Sequence, residues 1–288
     1  LCLGFDWELF RADIPHVVQA LDNVIDRTMY PLEEQKIEAI SKRRMGIGVT
    51  GVANALEVMG HPYASHAYRE MEGRILETLR DEAYSASADL AEEKGQFPHL
   101  DREKYLEGNF VGRLPGWLRE KIANQGIRNS HLTSIAPTGT ISFAADNVSS
   151  GIEPPYSLEY NRAVQTFDGP RTQMVKDWAW NFHGVRGRTA DEISAEDHVN
   201  VLTMAQHYVD SSCSKTCNVG SAVSFDEFSR LYDLAWSLGA KGLTTFRAAG
   251  KRFGIFSEVN DDATDEAQPS GGGACYIDPD TGVKSCDE

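Results

Sequence analysis

The chain has 288 residues, 41% of them apolar and 25% charged, enough to bury a substantial core as one large domain or two small ones. No apolar run approaches the roughly 18 residues of a membrane span, no secretory signal pattern opens the chain, and a formal charge of −15 excludes a broad basic surface for nucleic acid. The five cysteines, Cys2, Cys213, Cys217, Cys275 and Cys286, are odd in number and lack an export signal, which points to a reducing cytoplasm and argues against structural disulfides.

Apolar spacing predicts helical stretches alternating with glycines over 32–59 and an amphipathic helix over 65–94, closed by Gly95. A polar loop leads to a short helix near 115–125, and "NSHLTSIAP" (129–137), β-branched and apolar up to a proline, reads as a buried strand. The turn "APTGTISFAADNVSSGIEPP" (136–155) follows, with a further helix starting near Ile141. "YSLEYNRAV" (156–164) has strand character, the tryptophan-rich 174–182 reads as a short helix, and 194–210 and 224–238 as longer ones. Ser194 and Ser224 cap those two, and Glu227 completes a capping box on the second. Gly239 ends it, and "KGLTTF" (241–246) reads as a strand. This alternation predicts an α/β architecture with a largely parallel sheet. From Glu258 the chain carries nine acidic residues against one lysine, with a glycine run, so 258–288 is expected to be a flexible tail on a folded body of 1–257.

Gly46, Gly48 and Gly51 in "GIGVTG" match the G-x-G-x-x-G spacing, but a charged helical run precedes them where the dinucleotide fingerprint needs a strand. Close packing of a helix against its neighbours is the preferred reading. There is no P-loop, because Val52 stands where lysine would be required. The 136–155 turn is the better candidate. A strand ending at Pro137, then Thr138, Gly139, Thr140, Ile141 and Ser142 at a helix start, aims amides and hydroxyls at one point, which suits phosphate without a lysine. The alternative is a helix start whose hydroxyls satisfy its own amides. Cys213 and Cys217 in "CSKTC" would share a face if helical; no second pair at zinc spacing accompanies them, and they read as small buried thiols. Cys275 and Cys286 lie on the acidic tail, where a core role is implausible and redox delivery to another site is the functional reading.

"RRMGIGVTGVANAL", "IRNSHLTSIAPTGTIS", "SSGIEPPYSLEYNR", "YVDSSCSKTCNV" and "AWSLGAKGLTTFR" occur in this order and together resemble the C-terminal half of the ribonucleotide reductase large subunit, over roughly residues 12–256. The resemblance implies a ten-stranded α/β barrel of two parallel halves, of which this chain supplies the second and needs an N-terminal half as partner. It implies that Pro137, Thr138, Gly139, Thr140, Ile141 and Ser142 cradle the phosphates of a ribonucleotide substrate. The activity it implies is reduction to 2′-deoxyribonucleotides by a thiyl radical, with two active-site cysteines oxidised to a disulfide. Cys275 and Cys286 then reduce that disulfide and are themselves served by a thioredoxin-like reductant. Oxygen-dependent members carry two tyrosines where Thr244 and Thr245 stand, so the chain looks most like the adenosylcobalamin-dependent class. Cys2 in "LCLG" fits the substrate-reducing cysteine of a "CLLGS"-like strand; the alternative, the radical cysteine of "NLCLE", puts Gly4 where glutamate belongs. Rival readings are a fragment of an oxygen-dependent enzyme and a non-catalytic nucleotide-binding module. Unpaired sheet edges also lead us to expect association into homo-oligomers.

Overall fold

Glycine pairs, a buried aspartate and well-capped helices set the architecture of this computed structural model, which describes residues 4–166, 169–220, 223–247, 256–258, 275–277 and 284–286. Helix α1 (Trp7–Arg27) opens at Asp6, whose carboxylate accepts from the Leu9 amide at 3.0 Å, and runs through Pro15. Helix α2 (Glu33–Lys42) ends at Arg43, held at φ +47°. That left-handed conformation turns the Arg43 guanidinium onto buried Asp22 of α1, with Nη2 to Oδ1 at 2.7 Å. Helix α3 (Val52–Val58) starts at Gly51, at φ +76°.

Helix α4 (His66–Lys94) is the central pillar. Ser65 Oγ accepts from the Tyr68 amide at 3.2 Å to start it and Gly95, at φ +87°, ends it. Its buried stripe, including Ile75, Leu76, Leu79 and Ala83, joins the main core with Val18 of α1 and with Leu118, Ile122, Val201 and Ala205. Helices α5 (Arg102–Glu107) and α6 (Gly116–Gln125) follow. Beyond them come the single turn α7 (Ile141–Ala144), the hairpin β1 (Glu159–Thr166) and β2 (Gly169–Lys176), then α8 (Trp178–His183) and α9 (Ala195–Tyr208). Strand β3 (Thr216–Asn218), α10 (Phe225–Ser237) and β4 (Thr244–Phe246) complete the body. Ser224 and Glu227 form the expected capping box.

Extended segments lie side by side in parallel. Segment 45–48 bonds to 131–136, with Ile47 N donating to Leu132 O at 2.7 Å and Ser134 N to Ile47 O at 2.9 Å. On its other side 131–136 meets 211–214, Ile135 N donating to Ser212 O at 3.1 Å. That chain continues into β3, which pairs in parallel with β4, Thr216 opposite Thr244 and Cys217 opposite Thr245. The strand expected over 129–137 is reduced to single bridges. The cause is Asp210, whose buried carboxylate takes the Leu132 and Thr133 amides at 2.7 and 3.1 Å and removes them from a ladder.

Two expectations are corrected, and the close-packing reading of "GIGVTG" holds with extended segments in place of a helix. The helix near Ile141 is one turn only. Residues 174–176 belong to β2, because Met174, Val175 and Lys176 pair with Asn161, Tyr160 and Glu159, and the tryptophan helix begins only at Trp178. "GIGVTG" is a packing device between extended segments: a Cβ on Gly46 would lie 2.3 Å from Ser134 Oγ, and one on Gly48 2.2 Å from the Ser134 carbonyl oxygen. The expected flexible tail falls largely outside the described residues. Its described parts are Glu258, the last residue of β5 (Phe256–Glu258), which is antiparallel to β1, and the antiparallel pair β6 (Cys275–Ile277) and β7 (Lys284–Cys286). No helix among the described residues is long and apolar enough to cross a membrane.

Candidate functional site

The turn that leaves the 131–136 segment is open on one side and anchored on the other. Among the described residues, no group accepts from the amides of Thr138, Gly139, Thr140 or Ile141. Gly139 is exposed, and a Cβ built on it meets nothing within 4 Å. The hydroxyls do not close the turn on itself: Thr140 makes no capping bond, Ser142 Oγ donates to Gly139 O at 3.3 Å, and Thr138 Oγ1 faces away toward Gly151. The self-capped alternative is therefore not what the chain adopts. The segment holds no lysine or arginine from Ala136 to Pro155, so the unpaired amides are its means of meeting an anion.

Anchoring comes from two distant segments. Thr138, at φ +52°, accepts from the Gly151 amide at 2.7 Å, and its Oγ1 lies 2.9 Å from Thr50 Oγ1. Gly151 must be glycine, since at φ +54° a Cβ would sit 2.9 Å from the Ala136 carbonyl oxygen. Thr50 Oγ1 donates to Ser149 O at 3.1 Å, and the Ser149 amide donates to Asn54 Oδ1 at 2.6 Å. Asn54 in turn donates to Asp177 Oδ1 at 2.8 Å, a carboxyl that burial holds above its ordinary range. Thr50 and Asn54 escaped the sequence reading as site residues; the only signal was their place in "GIGVTGVANAL".

A second cluster lies under the same turn. Lys215, fully buried, donates to Glu153 Oε2 at 2.5 Å and to Thr216 O at 2.7 Å, and lies 2.8 Å from His198 Nδ1. Glu153 Oε1 also accepts from the Thr216 amide at 2.5 Å. Burial and the neighbouring ammonium push His198 down to about 3, so its ring is neutral. Sequence reading passed over Lys215 because a lone lysine between two cysteines carries no spacing signal. Those cysteines sit on extended chain rather than a helix. Burial raises the Cys213 thiol to about 12 and the Cys217 thiol to about 11, which leaves both as inert thiols.

At the far end of the sheet, Cys217 Sγ lies 3.4 Å from Ala195 O and Thr245 Oγ1 lies 3.2 Å from Tyr232 OH, so α9 and α10 cover that face of β3 and β4. Alternation along β4 puts Thr244 and Phe246 on the opposite face, where both are exposed. Cys2 lies outside the described residues. Cys275 and Cys286, separated in sequence, are brought directly opposite each other by the β6–β7 register. Among the described residues, no cluster of His, Cys, Asp or Glu could hold a metal ion.

Short parallel segments flanked by helices, with an open-amide turn where one of them ends, are compatible with part of an α/β barrel, although the longest strands, β1 and β2, pair antiparallel. A profile described as "Ribonucleotide reductase, barrel domain" matches residues 2–181 and 172–246, and the chain belongs to that family. It is 29% identical over 282 residues to the vitamin B12-dependent ribonucleoside-diphosphate reductase of Mycobacterium tuberculosis, covering 88% of this chain and 38% of that protein. To the protein of the same name from Thermoplasma acidophilum it is 30% identical over 276 residues, covering 85% and 34%. To the ribonucleoside-diphosphate reductase subunit alpha of Helicobacter pylori it is 28% identical over 260 residues, covering 82% and 32%. The chain thus spans about a third of the length of these curated relatives.

Proposed function

We propose that this chain is the substrate-phosphate portion of the catalytic barrel of an adenosylcobalamin-dependent ribonucleotide reductase, which converts ribonucleotides to 2′-deoxyribonucleotides by thiyl-radical chemistry in the cytoplasm. The observation that carries this reading is the set of four uncommitted amides from Thr138 to Ile141, anchored from behind by Gly151 and Thr50. Between Pro137 and Ser142, that surface offers an anion several uncommitted N–H groups in a chain otherwise of formal charge −15. The rest of the barrel, including the radical loop, comes from sequence outside these residues. Cys2 supplies one of the substrate-reducing thiols, and Cys275 and Cys286 pass electrons to that pair from a thioredoxin-like protein by thiol exchange.

Adenosylcobalamin, when bound, supplies the radical that converts a cysteine to its thiyl form. On β4, Thr244 and Phe246 are both exposed on one face. Thr244 and Thr245 also disfavour the oxygen-dependent reading, because an aliphatic hydroxyl cannot carry a phenoxyl radical. The test is deoxynucleotide formation by the full-length protein containing this chain, with adenosylcobalamin and a small iron subunit supplied separately. Activity with cobalamin alone is expected; activity that needs the small subunit instead overturns the class assignment.

A further inference from the structure

Lys215 and Glu153, in "CSKTC" and "SSGIEPP", are charged residues without a role so far. Lysine is among the residues least often buried, yet the Lys215 side chain has no exposed surface. An ammonium has three N–H donors, and all three are used, on Glu153 Oε2, Thr216 O and His198 Nδ1. For His198 Nδ1 to accept, the ring proton must be on Nε2, which lies 3.3 Å from Ala190 O. The site is therefore fully satisfied in one protonation state.

Glu153 is fixed at both carboxylate oxygens by β3 and its approach, through Lys215 Nζ and the Thr216 amide. Its own amide donates to Ser150 O at 2.8 Å, so the carboxylate anchors the 149–153 turn as a unit. The opposite side of that turn holds the open-amide loop. Gly151 N donates to Thr138 Oγ1 at 2.7 Å, and Ser150 Oγ lies 3.2 Å from Ser142 Oγ, so the turn grips both ends of the loop. A buried ion pair adds little net stability over a well-packed apolar replacement; what it adds here is one defined position for Glu153. We propose that Lys215 is a positioning residue for substrate phosphate, acting through Glu153 to hold the 149–153 turn and, by way of Gly151 and Ser150, the Thr138–Ser142 loop. The proposal rests on the reading that this loop binds the phosphates.

The experiment uses the full-length reductase containing this chain and three variants, Lys215→Met, Glu153→Gln and, as a direct lesion of the loop, Gly139→Val. Affinity is measured for a ribonucleoside diphosphate and for the same ribonucleoside without phosphates, together with kcat, KM and thermal unfolding. Lys215→Met is expected to weaken diphosphate binding and raise KM about tenfold, with kcat within about threefold and nucleoside affinity unchanged. Glu153→Gln, which keeps the side chain's shape but loses the charge that orders it, is expected to do the same, and it stands in for Lys215→Met if the latter does not fold. Unchanged diphosphate affinity in the folded variants, or equal losses for diphosphate and nucleoside, overturns the positioning role. If Gly139→Val also leaves diphosphate affinity unchanged, the loop itself is not the phosphate site, and that separate failure is read from the same plate.

Discussion

Asp210 holds Leu132 by its amide, at 2.7 Å from Oδ2, at the root of the segment that delivers the open turn. The same carboxylate accepts from the Thr133 amide at 3.1 Å and from Tyr84 OH at 2.8 Å, all in the buried interior. Asp210→Ala strands these donors without water, and each unsatisfied buried group costs about 1–3 kcal/mol. A loss of about 3 kcal/mol or more is expected in urea unfolding, with Asp210→Asn, which keeps one acceptor oxygen, losing less. A loss below about 1 kcal/mol for Asp210→Ala contradicts this account of why the strand is reduced to bridges.

Two glycines in the turn make opposite predictions. Gly139 lies outside the left-handed region and a Cβ there meets open space, so Gly139→Val should leave stability within about 0.5 kcal/mol while blocking approach to the amides, and nucleotide affinity should fall about tenfold or more. Gly151 is at φ +54° with its Cβ position 2.9 Å from Ala136 O, so Gly151→Val should cost about 2–3 kcal/mol in stability as well. Thermal unfolding and calorimetric titration on both variants separate the two cases.

What could be read from the sequence follows from how local the signal is. The end of α4 and the start of α10 were legible because Gly95, Ser224 and Glu227 act within three residues of the ends they define. Helix α1 went unread: Pro15 within it is a breaker by rule, tolerated here in an amphipathic run whose far end is tied by the Asp22–Arg43 pair. The turn from Pro137 to Ser142 was visible as a motif. Its anchors were not, since Thr50 reaches Thr138 across 88 residues of sequence and Lys215 reaches Glu153 across 62, distances over which no periodicity or capping rule operates. Asp210 was invisible for the same reason, and its absence from the reading is why 129–137 looked like an ordinary strand.

Glu72 of α4 is fully buried, neither of its carboxylate oxygens has a hydrogen-bond partner among the described residues, and Tyr68 OH, one turn earlier, has none either. Burial drives its pKa well above the 4.5 of a free glutamate, against the opposing pull of Lys215 and Arg69. Its folded pKa is thus higher than its unfolded one. The stability it contributes is fully present below about pH 4.5 and is lost as pH rises through the folded value. Glu72→Gln removes that titration. The variant should unfold at a higher temperature than the parent at neutral and alkaline pH, and the gap should close as pH falls toward 4.5. Melting curves across that range that run parallel for the two proteins would falsify the buried-acid account.

Cys275 and Cys286 are eleven residues apart on an acidic tail, yet the antiparallel register of β6 and β7 sets them opposite each other, flanking Tyr276–Ser285 and Ile277–Lys284. Two cysteines in register on neighbouring strands suit thiol exchange. Changing both to serine in the full-length reductase should abolish turnover with thioredoxin as sole reductant, while a small dithiol that diffuses to the active site should restore it. Because neither cysteine belongs to the 136–155 turn, nucleotide affinity should not change. Serine at one position alone should be as damaging as at both, since a single thiol cannot complete the exchange and leaves a mixed disulfide instead. Normal turnover of the double variant with thioredoxin alone rules the tail out as the electron carrier, and failure of rescue by dithiol means the substitutions damage the barrel rather than its reduction.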